Sequence, residues 1–206
     1  MKKIVWLCGL VLGLATVAVA QSTPKPSAPL TTLNAFFKFY KKHYMNDTKV
    51  NMSSQDEKNG YYSFCSVAEG EIDCSLEGTS VEMAIWKKAD GSPIFGLSSH
   101  SCPGVFCGDQ EIHLQFFNSK MEDITSQLVD LEQLKAIGMH KTLVNIQSAE
   151  KEVLGEAYDA ERLFTVGIPE KGTSIRLVVS IGYKSTETFA MLNFNKKDGT
   201  FTVEEQ

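Results

Sequence analysis

A carboxylate and a pair of imidazoles, Glu111, His113 and His100, make the strongest case in this chain for a reactive site. Along Glu111–Phe117, the apolar Ile112, Leu114 and Phe116 alternate with Glu111, His113 and Gln115. That alternation predicts a strand whose polar face carries a carboxylate and an imidazole. His100 sits on the preceding predicted strand, and a hairpin tip at Cys102–Cys107 would bring it roughly opposite Glu111. Phe95 and Leu97 alternate with it, so His100 is expected on the polar face too. Two imidazoles and a carboxylate can ligate zinc or another divalent metal, or act as an acid–base pair for hydrolysis. The competing reading is a solvated face of a half-buried sheet, where histidines have no special task.

Other patterns offer less. In Ser98-Ser99-His100-Ser101 a nucleophile adjoins a base, but neighbours on a strand point to opposite faces, and no Gly-x-Ser-x-Gly elbow presents a serine. Phosphate-cradling and dinucleotide-binding glycine motifs are absent from the sequence. Asp90 and Asp198 occupy Asp-Gly turns with too few oxygen ligands for calcium. No cofactor is expected beyond the divalent metal that the histidine cluster could hold.

The N-terminus sets the chemical setting. Lys2 and Lys3 precede an apolar run, Ile4–Val17, and Ala18-Val19-Ala20 supplies the small residues a signal peptidase reads. The expectation is a signal peptide over 1–20, cleaved after Ala20, and a secreted or periplasmic protein with no transmembrane segment in the mature chain. Cys8 lies inside the apolar run, the wrong place for a lipid anchor. Four cysteines then remain, Cys65, Cys74, Cys102 and Cys107, an even set that reads as disulfides. A two-residue turn at Glu69-Gly70 would make Cys65 and Cys74 cross-strand partners, with Cα atoms about 4.5 Å apart, inside disulfide range. Cys102–Cys107 would staple a loop; its four intervening residues do not match the two of disulfide oxidoreductases. The whole chain has a net charge of −5, and losing Lys2 and Lys3 makes it more acidic. Nucleic acid and anionic lipid are therefore disfavoured partners.

Gln21–Leu30, with three prolines, reads as a flexible leader. Thr31 and Thr32 can cap a helix to about Tyr44, with Phe36, Phe37, Tyr40 and Tyr44 on one face for burial against a sheet. Strands are predicted at 61–67, 72–76, 81–88, 93–99 and 111–117. Ser119 and Glu122 then suggest a capping box for a helix over 121–137, with Gly138 as its stop. Strands return at 163–166, 174–181, 186–194 and 200–204.

The order repeats. Met83–Ser92 aligns without a gap on Met191–Thr200, each ending on an Asp-Gly turn, and Gly60–Gly70 matches Gly172–Gly182 in glycine spacing. These features predict an α+β fold, mainly antiparallel sheet with two helices packed on one face. It could be two tandem helix-plus-sheet halves, 31–118 and 119–206. At fold level only, this order resembles the tandem helix-plus-four-strand domains of bacterial envelopes, such as PepSY-like and β-lactamase-inhibitor-like domains. No motif specific to either is present, so the resemblance implies no site residues. The function expected is a non-enzymatic module binding a protein or small ligand, with Trp86, Gln115 and Phe117 as binding residues on an exposed face. A hydrolase built on His100, Glu111 and His113 and a purely structural envelope component are the alternatives.

Overall fold

Short alternating segments joined by tight turns have one economical outcome, an antiparallel meander, and the chain forms two of them. The computed structural model describes residues 24–45, 49–67, 79–101, 109–149, 162–181 and 185–206. The expected signal peptide, the strand expected at 72–76, and Cys74, Cys102 and Cys107 lie outside these residues.

Helix α1 (Leu33–Tyr44) starts at Thr32, whose side chain accepts a hydrogen bond from the Ala35 N–H at 3.2 Å. Strands β1 (Lys49–Asp56), β2 (Tyr61–Val67), β3 (Thr79–Lys87), β4 (Pro93–Ser101) and β5 (Leu114–Phe117) then pair in sequence order as a five-stranded sheet. A short helix α2 (Thr125–Leu128) and a long helix α3 (Leu131–Ala149) lead to the second sheet. That sheet pairs β6 (Arg162–Gly167), β7 (Ser174–Ile181), β8 (Ser185–Asn195) and β9 (Thr200–Glu205), again in sequence order. All pairings in both sheets are antiparallel, giving an α+β fold of helix, sheet, helices, sheet.

Four local departures from the sequence reading have physical causes. Strand β1 has no clean alternation, and forms as an edge whose ladder is supplied by β2. The polar residues after β5 build a turn rather than a helix start. Asn118 Oδ1 accepts from the N–H groups of Lys120 and Glu122, Met121 adopts φ of 61°, and the Ile124 N–H returns to the Phe116 carbonyl. The long helix begins only after Asp130, whose carboxylate accepts from the Gln133 N–H. It then runs through Gly138 instead of stopping there. A Cβ at Gly138 would lie 2.7 Å from the Phe164 ring and 3.2 Å from the Phe189 ring, so glycine is needed for helix–sheet contact. Leu30, expected in the leader, donates its N–H to the Ser119 carbonyl at 2.7 Å and packs under α1.

The first sheet is covered on both faces. Phe64, Val81, Met83, Phe95, Leu97 and Phe117 point to α1, where Phe36 stacks on Phe95 at 4.7 Å between ring centroids. Residues of opposite parity, including Ala84, Trp86, Ile94 and Phe116, face the second sheet and join a core with Leu134 of α3 and Phe164, Leu177 and Leu192. The two long helices thus serve separate cores, with the first sheet between them.

Candidate functional site

The register of β4 and β5 decides the histidine cluster. Leu97 pairs with Gln115 and Ser98 with Leu114, and directly paired residues share a face. His100 has the parity of Ser98, so it faces the second sheet. Glu111 and His113 precede β5 and are exposed, and the His113 carbonyl accepts from the Ser99 N–H at 3.3 Å. The expected cluster of His100, Glu111 and His113 is not grouped in a geometry that could hold a metal ion. Its premise was one shared solvated face, whereas His100 is drawn into burial while Glu111 and His113 stay exposed. Glu111 pairs instead with Lys135 of α3, and His113 Nε2 lies 3.9 Å from an Asp109 carboxylate oxygen. Among the described residues, no three His, Cys, Asp or Glu side chains are grouped to hold a metal ion.

Two of the expected binding residues move inward. Phe117 is buried beneath α1, 5.7 Å from Phe36 between ring centroids. Trp86 is 3% exposed, wedged edge-on against Phe201, and its indole N–H donates to the Thr173 carbonyl at 3.1 Å. Only Gln115 stays exposed, on the short edge strand β5.

What His100 does meet is a polar seam between the sheets. Glu82, opposite Ser98 on β3, accepts from Tyr61 Oη at 2.9 Å through one oxygen and from the Ile168 N–H at 2.8 Å through the other. Ser98 Oγ donates to the Val166 carbonyl at 3.2 Å. Burial and the neighbouring Glu82 charge push the Tyr61 phenol well above its ordinary range. Burial also pulls His100 below its ordinary 6.5, against the opposing charges of Glu82 and Asp109. Its Nδ1 is buried without a hydrogen-bond partner. Glu82 and Ser98 are thus both engaged with the backbone across the seam, at Ile168 and Val166.

A second location has room for a ligand. A cleft of about 630 Å³ opens where α1, the β1–β2 turn, the end of β3, the β6–β7 loop and the β8–β9 turn meet. Ile85, Trp86 and Phe194 give it an apolar floor, and Lys58, Lys87 and Lys196 approach from three different elements. The Ala89 N–H donates to the Lys196 carbonyl at 2.9 Å, tying together the two hairpin turns beside it. The volume falls within the usual range for small-molecule sites, and a junction between sheets is a usual place for one. Sequence reasoning named Trp86 but missed Phe194, Lys58 and Lys196. A signal for the first existed: the repeat alignment places Phe194 on Trp86, and their rings lie 6.5 Å apart. The glycines that match in the same repeat, Gly60 and Gly172, both line the cleft at positive φ.

Of the four cysteines in the expected mature chain, Cys65 alone lies among the described residues. It is buried on β2 between Asn51 of β1 and Ser80 of β3. Cys74 and the Glu69-Gly70 turn expected to bring it beside Cys65 lie outside the described residues. Among the described residues, no helix is long and apolar enough to cross a membrane.

The fold and its cleft define an α+β protein with two stacked antiparallel meanders. No protein-family model, curated protein or solved structure matches the chain, so the fold-level resemblance drawn from its element order gains no support there.

Proposed function

We propose that this is an exported, non-enzymatic binding module whose ligand occupies the cleft between the two meanders. The cleft itself carries the reading: apolar Ile85, Trp86 and Phe194 beside charged and hydroxyl-bearing residues, built jointly by both halves of the chain. The seam around His100 supports it from the other side, because Glu82 and Ser98 are spent on holding the sheets together. Export and disulfide bonding among Cys65, Cys74, Cys102 and Cys107 belong to the same proposal. A mature N-terminus at Gln21 and four alkylation-protected cysteines are the expected results of N-terminal sequencing and mass spectrometry.

Ligand binding is tested by thermal shift against a diverse set of small molecules and short peptides. A ligand present at 100 times its Kd stabilises the folded chain by about 2.7 kcal/mol. For a chain of this length that moves Tm by several degrees. The expected result is a compound that raises Tm in the wild type but not in Thr31→Trp, which places an indole at an exposed position on the cleft rim. Shifts equal in both proteins would overturn the assignment of the cleft. No shift with any compound would favour a purely structural envelope component.

A further inference from the structure

We infer that the cleft takes an amphiphilic oxyanion, an apolar body ending in a phosphate or carboxylate group. This rests on the cleft being the binding site. The charge lining it runs against that of the chain. With 20 basic and 25 acidic residues the protein is net negative, yet Lys58, Lys87 and Lys196 converge here against a single acid, Glu57. None of the three lysines belongs to an ion pair among the described residues. The Glu57 carboxylate is already engaged: one oxygen accepts from Asn34 Nδ2 at 3.2 Å, Tyr62 Oη at 3.1 Å and Gln55 Nε2 at 3.4 Å. It is therefore held by neutral donors from three elements rather than by the lysines beside it.

The rim adds to this field. Thr31, Thr32 and Leu33 line the cleft at the start of α1, a 12-residue helix with no acidic residue in its first turn. The positive end of that helix dipole thus faces the same space without an internal counter-charge. Below the rim, the half-buried Ile85 and Phe194, backed by the buried Trp86, offer aliphatic and aromatic surface that a bare inorganic ion would leave wet. Charge at the rim and apolar surface at the floor together select a ligand that has both. The matched positions Gly60 with Gly172, and Trp86 with Phe194, place this chemistry where the two meanders meet, so neither half supplies it alone.

The test uses the whole chain carrying Trp6→Phe. Of the two tryptophans only Trp86 then remains, and it reports from the cleft floor. Octyl phosphate, octanoate, octyl glucoside and inorganic phosphate are titrated below micelle-forming concentrations while Trp86 emission is followed. Octyl phosphate and octanoate should each bind at least tenfold tighter than either octyl glucoside or inorganic phosphate, with affinity falling as salt rises. The triple variant Lys58→Gln, Lys87→Gln, Lys196→Gln should lose that preference while its Tm stays unchanged. Lys38→Gln with Lys42→Gln, on α1 away from the cleft, should keep it.

Equal binding of octyl glucoside would overturn the anionic selectivity and leave the cleft as a binding site. Equal binding of inorganic phosphate would overturn the need for an apolar body. Retention of the preference by the triple variant, or its loss in the α1 control, would overturn the role given to the three lysines. If no probe perturbs Trp86 the inference fails, and a blank thermal-shift screen beside that result would take the binding-module reading with it.

Discussion

The two faces of the first sheet are built from the same strands but hold different things together. Toward α1 the contact is apolar: Phe36 lies almost parallel to Phe95, and Phe37 meets Tyr62 and Phe64 edge-on. Toward the second sheet an aromatic end, with Trp86, Phe116 and Phe201, gives way to the polar end of Tyr61, Glu82, Ser98 and His100. Apolar burial is strong but nondirectional, so the α1 face sets how firmly the helix is held. Directional bonds from Glu82 and Ser98 to the backbone at Ile168 and Val166 fix how the second sheet sits on the first. The cleft depends on that placement, because its walls come from both meanders.

The largest effect should come from the apolar face. Phe36 is fully buried, and Phe36→Ala should cost about 3–5 kcal/mol, read from urea unfolding. A loss no greater than that of an exposed substitution would remove the claim that α1 is held by this core. Next comes the aromatic end of the other face. A Cβ at Gly96 would lie 2.5 Å from the Trp86 ring, which its hydrogen bond to Thr173 pins in place. Gly96→Val should cost roughly 1–3 kcal/mol or more and shift Trp86 emission, since overpacking forces side chains off their preferred rotamers. Unchanged emission would show that the indole can yield.

The polar end sharpens the contrast. Glu82→Ala strips the Ile168 N–H and Tyr61 of their acceptor and should cost about 1–3 kcal/mol. Glu82→Gln, which keeps a carbonyl oxygen, should recover part of that loss; if both variants are equally destabilised, the hydrogen bonds are not what the carboxylate contributes.

The smallest effect is a pH dependence. Burial lowers the folded-state pKa of His100 below 6.5, so on acidification the unfolded chain takes up the proton first. Stability from this group is complete above the unfolded value and declines as pH falls from about 6.5 toward the folded pKa. His100→Asn should flatten that part of the Tm-against-pH curve, and an identical slope in variant and wild type would assign it to other groups.

Much of the local architecture is legible along the chain, because such features depend on sequence neighbours. Strand β7 has the bounds its alternation predicts, α1 starts at the threonine able to cap it, and the paired Asp-Gly turns fall where the repeat puts them. Period-two patterning says which residues alternate, but not whether one face of a sheet or both will be covered. Tertiary structure decided that, and with it the fate of every site residue. Once α1 and a second sheet lie on the two faces of the first, His100 is half-buried near Glu82, Glu111 pairs with Lys135, and Phe117 becomes core. Trp86 turns from an exposed ring into the floor of a cleft. Lys58, Lys87 and Lys196 look like ordinary surface charges along the chain. Their convergence is a product of the packing of one meander on the other, which no local pattern encodes.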